Sequence, residues 1–262
     1  MIALSAVLSV VPIFEMPYGG SITLASFLPI VIIAYRHGFK YGIASACVAS
    51  LVQILFGLKN FSYFTTPESL IALAVLDYVV AFTVFGLAGA FRKHLKNQSA
   101  AMVTGAFLAS VLRYICHVIS GATVWAGLSI PDEAALIYSL SYNATYMIPE
   151  TVILVLSAAY IGMALDFRKP VPTRMKSESF DSTSSYLLIA AGLVLLAGLI
   201  TDTVLIFSKL QNYDTGEFVI TALADVNWLA VAIVTAVSVA VSGIIFVITR
   251  AKNKNTTVRE TK

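Results

Sequence analysis

Apolar runs dominate the chain and fall into eight blocks separated by short polar breaks. The blocks lie near residues 2–14, 22–36, 39–57, 68–91, 101–127, 133–166, 185–208 and 226–250. They are long and continuous rather than short and alternating, the pattern of membrane-crossing helices and not of barrel strands. The first block is the exception. As a helix from Met1 to Pro12 or Phe14 it reaches only about 20 Å, against about 30 Å of hydrocarbon. The expectation is that Met1 corresponds to an internal methionine of a longer natural chain. The stretch MPYGGSITLASFLPI then carries Gly19 and Gly20 into an outer loop. There they serve either as a lid that closes on a ligand or as an ordinary tight turn.

One break stands out from the others. FRKPVPTRMKSESFDSTSS, beginning at Phe167, is charged, rich in serine and threonine, and holds two prolines, so it reads as a linker. The pattern therefore predicts an all-α integral membrane protein built from a six-helix core at 1–166, a cytoplasmic linker at 167–184 and an appended two-helix transmembrane hairpin at 185–250. A basic tail follows at 251–262.

Composition sharpens this reading. The chain is 58% hydrophobic and 12% charged, where a soluble domain carries about 25% charge. Its net charge of +3 would suggest nucleic acid if the basic residues formed one patch. They are instead sorted into alternate loops: Arg36 and Lys40; Arg92, Lys93 and Lys96; Arg168, Lys169, Arg174 and Lys176; and Arg250, Lys252, Lys254, Arg259 and Lys262. The opposite loops hold Lys59 and Lys209 among Glu15, Glu68, Asp132, Glu133, Asp214 and Glu217. The positive-inside rule then predicts eight spans with both termini in the cytoplasm and no nucleic-acid partner. Cys47 and Cys116 both fall inside predicted helices, which implies neither a disulfide framework nor a metal site.

One basic residue remains, Arg113 in RYICHVISG, and it lies inside the membrane. Ionisable side chains there cost about 2.5–3.5 kcal/mol each on insertion scales and need a partner or a purpose. The core holds four that matter: Asp77, Arg113, His117 and Glu150. Arg113, His117, Gly121 and Trp125 step by four and share a stripe of the fifth helix. Ser139, Asn143, Tyr146 and Glu150 share a face of the sixth, with Tyr138 at its edge, and Tyr78 follows Asp77 in the fourth. Turned inward, the three faces enclose a cavity whose charge sums to −1 with His117 neutral. Aromatic faces, hydroxyls and an amide complete it, a fit for a small aromatic monocation. Blander readings stand beside this one. Arg113 and Asp77 can form a purely structural ion pair, His117 and Glu150 can serve helix packing, and Trp125 can be an interfacial belt residue. Asp202, near the outer interface, needs no function, and Trp228 reads as an interface anchor.

The segments GGSITLASFLPIVIIAYRHG, LDYVVAFTVFGLAGAFRK, RYICHVISGATVWAG and IYSLSYNATYMIPE resemble, in order and spacing, the thiamine-binding S components of energy-coupling factor (ECF) vitamin transporters. The resemblance covers residues 1 to about 166. It implies a six-helix protein of the prokaryotic plasma membrane that captures thiamine from outside. Such a protein works with a transmembrane coupling protein and two cytoplasmic ATPases, and hydrolyses nothing itself. The implied thiamine contacts are Asp77, Tyr78, Arg113, His117, Trp125, Tyr138 and Asn143, with Glu150 in the same block and Gly19 and Gly20 as lid candidates. Ala3 and Ala6 are expected to keep part of the small-residue face that family members turn to the coupling protein. Two departures are visible: Asp77 stands where some members carry glutamate, and GGSITLASF lacks the tryptophan and acid that some members place there.

Two other function classes are open to such a chain. A standalone secondary transporter of a small organic cation would use Asp77 or Glu150 as proton carrier, but no inverted repeat or matched pair of broken helices is visible. An intramembrane enzyme is disfavoured by the lack of an HExxH motif or a glycine-flanked serine nucleophile.

Overall fold

A computed structural model describes residues 1–16, 18–126, 135–175, 182–210 and 220–260. Proline sets the first departure from the expected blocks. Helix α1 (Ile2–Val10) ends ahead of Pro12, because the residue before a proline is pushed out of the helical region, and Val11 sits at φ −113 and ψ 82. The chain then forms a hairpin, β1 (Pro12–Glu15) antiparallel to β2 (Ser21–Thr23), with Phe14 opposite Ile22 and Glu15 opposite Ser21. Met16 N–H donates to Gly20 O at 3.0 Å across the turn, where Gly19 and Gly20 take φ +91 and +90, a region glycine enters without steric cost. The expected helices at 2–14 and 22–36 are thus corrected. Their facing ends form the hairpin, and α2 runs only Leu28–His37, with Pro29 in its first turn.

The remaining helices of the core follow the apolar blocks closely. Helix α3 (Phe39–Phe56) is followed by the short α4 (Leu58–Phe61). Helix α5 (Pro67–Lys93) is capped by the Thr66 hydroxyl, which accepts Ser69 N–H at 3.3 Å. It is not uniform: Ala74–Val80 is wound as a π-helix and Val84–Lys93 as a 3-10 helix. Helix α6 (Gln98–Thr123) is capped by Asn97 and α7 (Ala135–Ala164) contains Pro149. A short ladder, β3 (Leu165–Asp166) with β4 (Thr173–Arg174), follows α7.

Small residues set the helix spacing, as expected where lipid supplies no hydrophobic drive between helices. A Cβ on Gly86 of α5 would lie 2.5 Å from the Ile43 backbone of α3, and one on Gly105 of α6 would collide with Ala88 O of α5. Buried Gln98 ties the start of α6 to the end of α7, donating to Gly162 O at 2.9 Å and Leu165 O at 2.6 Å and accepting from Phe167 N–H at 2.9 Å.

The backbone divides into two compact units, Met1–Met175 and Lys176–Lys262. The second holds α8 (Ser182–Leu210), a 3-10 turn (Ile220–Asp225) and α9 (Trp228–Glu260). Gly198 of α8 lies against Ser238 of α9. Ser242 donates to Ala191 O at 2.9 Å and Thr235 to Asp202 Oδ2 at 2.6 Å. The stretch expected as a tail from 251 is helical as far as Glu260, a continuation of α9.

Among the described residues six helices are long and apolar enough to cross a membrane: Phe39–Phe56, Pro67–Lys93, Gln98–Thr123, Ala135–Ala164, Ala190–Leu210 and Trp228–Thr249. Helices α1 and α2, of 9 and 10 residues, reach about 14–15 Å and are too short to cross alone. The predicted helix ends at Gly127 and Glu133, the loop acids Asp132, Asp214 and Glu217, and positions 176–181 of the predicted linker lie outside the described residues.

Candidate binding pocket

A cavity of about 190 Å³ lies in the first unit, walled by the β1–β2 hairpin, the end of α3 with α4, and the polar faces of α5, α6 and α7. Asp77, Tyr78, Arg113, His117, Trp125, Tyr138, Asn143 and Glu150 all line it, and so do Gly19 and Gly20. Helical periodicity accounts for most of this. The four-residue stripe on α6 delivers Arg113, His117 and Gly121 to one wall, and Trp125 completes it just past the helix end. The π segment of α5 carries both Asp77 and Tyr78 to the cavity, a kind of irregularity often found at functional sites.

The charged groups form one continuous chain of hydrogen bonds. Thr23 of β2 donates to Glu150 Oε1 at 2.8 Å. Glu150 Oε2 accepts from Arg113 Nη1 at 2.6 Å, and the two side chains are only 9% and 8% exposed. Arg113 Nε reaches His117 Nε2 at 3.3 Å. A guanidinium can only donate, so His117 Nε2 is the acceptor and the ring proton sits on Nδ1. Nδ1 lies 3.0 Å from Asp77 Oδ1, and Trp125 Nε1–H donates to Asp77 Oδ2 at 2.8 Å. The chain therefore runs Glu150⁻, Arg113⁺, neutral His117, Asp77⁻, with Trp125 as its terminal donor. Its charge is −1, as the sequence suggested, but the pairing differs from the structural Arg113–Asp77 pair considered there. Arg113 is neutralised by Glu150 across α6 and α7, and it also stacks over the Phe82 ring at 4.6 Å. Asp77 is left with neutral donors alone among the described residues.

Trp125 is 7% exposed and edge-on to Phe64 at 4.9 Å, so it is an inner wall and not a belt residue. Asn143 is held within α7 and to α6: its amide donates to Ser139 O at 2.9 Å and to His117 O at 3.4 Å, and its Oδ1 accepts from Tyr146 O–H at 2.7 Å. One lone pair on Oδ1 is all it has to offer a guest. Tyr138 is 1% exposed and lies parallel to Tyr142, their ring centroids 6.1 Å apart.

The hairpin is fastened to α7 at several points. Tyr142 O–H donates to Gly19 O at 2.9 Å and accepts from Tyr18 N–H at 3.2 Å. A Cβ on Gly20 would lie 2.8 Å from the Tyr146 ring. At the rim, Lys59 and Glu15 pair at 3.7 Å, both well exposed.

Sequence reasoning placed Tyr146 on the cavity face without naming it a ligand contact, and it did not select Thr23, Asn60, Phe82 or Tyr142, yet all five line the cavity. Tyr142 and Tyr146 were within reach of the argument, since Tyr138, Tyr142 and Tyr146 step by four on α7. Thr23 and Asn60 lie off any long helix, where no periodicity points.

The first unit also carries the similarity to known proteins. The family model described as thiamine transporter protein matches residues 1–169. The thiamine transporter ThiT of Bacillus subtilis (strain 168) is 34% identical over 164 residues, which are 58% of this chain and 81% of that protein. No solved structure matches the chain significantly.

Proposed function

We propose, starting from the fact that this chain belongs to the thiamine transporter protein family, that its first unit captures thiamine for uptake as the substrate-binding S component of an energy-coupling factor transporter. The observation that carries the reading is Asp77. Its carboxylate is 13% exposed, both its oxygens are held by neutral donors, and it stands at the wall of a cavity faced with aromatic rings. A fixed negative charge in such surroundings is costly unless a cation comes to it. Thiamine supplies one as its thiazolium ring, with an aminopyrimidine whose edge suits the hydroxyls and amide of α7. The matching wall residues Tyr78, Arg113, His117, Trp125, Tyr138, Asn143 and Glu150 shape and charge the pocket, and the Gly19–Gly20 hairpin closes it.

The chain performs no bond chemistry in this scheme. ATP hydrolysis belongs to two cytoplasmic partner subunits, and a transmembrane coupling protein transmits it. Ala3 is exposed and Ala6 half-buried on α1, which leaves small side chains open to a partner helix. The chain passes the plasma membrane of a prokaryote eight times, the first two passes made by α1 together with β1 and by β2 together with α2, and both termini lie in the cytoplasm, as the sorting of its basic loops supports.

The test is a thiamine titration of the purified protein in detergent, followed by tryptophan fluorescence. Trp125 and Trp228 are the chain's two tryptophans, and Trp125 lines the pocket. Saturable quenching that survives Trp228→Phe supports the reading. Silence there, with no calorimetric signal and no thermal shift on adding thiamine, overturns it.

A further inference from the structure

Asn60 lies on the short helix α4 at the cavity wall and is 9% exposed. Its neighbours orient its amide. Tyr78 O–H donates to Gly57 O at 3.3 Å, so the phenol has only lone pairs left for Asn60. The Asn60 atom 3.0 Å from that phenol is therefore the Nδ2 donor. Its other atom, Oδ1, is then a buried acceptor that meets no donor among the described residues. Buried polar atoms are rarely left so, because an unmade hydrogen bond costs the full desolvation of the group. The hairpin turn lies against this amide, since a Cβ at Gly19 would sit 2.6 Å from Asn60 Nδ2 and 3.4 Å from Oδ1, but it brings Oδ1 no donor.

We infer that Asn60 Oδ1 is the acceptor for the free hydroxyl of thiamine's hydroxyethyl arm, and that it makes the pocket select the unphosphorylated vitamin. The inference rests on the thiamine reading above. Thiamine offers two neutral donors, the amino group of its pyrimidine and the hydroxyl at the end of that arm. The arm is carried by the cationic ring, which Asp77 attracts, and Asn60 is bonded to Tyr78, the residue next to Asp77. The hydroxyl is thus the donor brought nearest to Oδ1. Esterification removes that O–H and sets an anionic phosphate against a carbonyl oxygen, replacing attraction with repulsion. Lys59, the adjacent cation, offers little compensation, since it is 63% exposed and pairs with Glu15 at 3.7 Å.

Binding to the full-length protein in detergent is measured by calorimetry for thiamine, for the analogue with ethyl in place of hydroxyethyl, for the analogue with oxygen in place of the pyrimidine amino group, and for thiamine monophosphate. Wild type should bind the ethyl analogue about tenfold more weakly than thiamine. That penalty should vanish in Asn60→Leu and persist in Asn60→Asp, which keeps an acceptor at the site. Discrimination against the monophosphate should shrink in Asn60→Leu and widen in Asn60→Asp. Equal wild-type affinity for thiamine and its ethyl analogue overturns the inference. So does an unchanged ethyl penalty in Asn60→Leu, or a variant that cancels the penalty of the amino-substituted analogue instead. Should Asn60→Leu not fold, the wild-type ratios and Asn60→Asp decide the matter. A wild type that binds thiamine but shows no hydroxyl coupling removes this inference alone, whereas a wild type that binds none of the compounds removes the thiamine reading and this inference with it.

Discussion

Asp77→Asn isolates charge from shape at the centre of the pocket. The substitution is nearly isosteric and raises the formal charge of the hydrogen-bonded chain from −1 to 0. For a cation bound about 5 Å from the carboxylate in an effective dielectric of about 20, the lost attraction is about 3 kcal/mol, or roughly two orders of magnitude in Kd. A second consequence follows from the network. The carboxylate accepts on both sides, from His117 Nδ1 and from Trp125 Nε1–H. An amide accepts on one side and presents N–H on the other, so one donor faces a donor. His117 cannot relieve this by moving its proton to Nε2, because that nitrogen accepts from Arg113 Nε. The conflict costs about 1–3 kcal/mol in the empty protein, partly offset by no longer burying an uncompensated charge. Affinity is therefore a cleaner readout than melting temperature. The assay is a fluorescence titration of wild type and Asp77→Asn with thiamine and with an uncharged isostere in which carbon replaces the thiazolium nitrogen. The expected result is about a hundredfold loss for thiamine and no more than about fivefold for the isostere. Equal losses for the two ligands would refute the electrostatic argument and reduce Asp77 to a scaffold residue.

Three further outcomes are expected. Glu150→Gln leaves Arg113, 8% exposed, without its counter-ion. It should lower stability by about 3–5 kcal/mol, read as a drop in melting temperature, while the double replacement Glu150→Leu with Arg113→Met should recover the melting temperature but not thiamine binding. Wild-type melting of the single variant would contradict the ion-pair assignment. Gly20→Ala places a side chain at φ +90 and 2.8 Å from the Tyr146 ring, a strain of about 1–2 kcal/mol or more. Thiamine release measured by stopped flow should quicken several-fold, and an unchanged rate would argue against the hairpin as lid. Truncation after Met175, the boundary between the two units, should leave thiamine affinity within about twofold of wild type, since every described residue that lines the cavity belongs to the first unit. Loss of binding by a folded truncate would bring the second unit into the site.

Much of the site was legible in the sequence because long helices obey one periodicity. Arg113, His117 and Gly121 share a wall because they step by four, and Asn143, Tyr146 and Glu150, three and four apart, share the adjoining one. Intramembrane charge singled out Asp77, Arg113, His117 and Glu150 before any coordinates, since hydrocarbon penalises such groups unless they serve a purpose. The hairpin was not legible. A run such as VPIFEMPYGGSIT is apolar enough to extend a helix on paper, and only Pro12, Pro17 and the paired glycines argue otherwise. Thr23 and Asn60 owe their places to the chain around them, because loop positions carry no periodic signal.

The sequence by itself determined the helical membrane class, the order of the apolar segments, the faces on which polar groups lie and the net charge they bring to the cavity. These depend on composition and on spacing along a single helix, and both are local. Which groups meet was decided only by the tertiary structure. The sequence offers Arg113 two intramembrane carboxylates, and the fold pairs it with Glu150 on α7 while Asp77 receives His117 and Trp125. That choice depends on the relative rotation and spacing of α5, α6 and α7, set by contacts such as Gly105 against Ala88 and by the π segment that carries Asp77. Close packing between helices is a property of pairs of surfaces far apart in the chain, so no single segment encodes it.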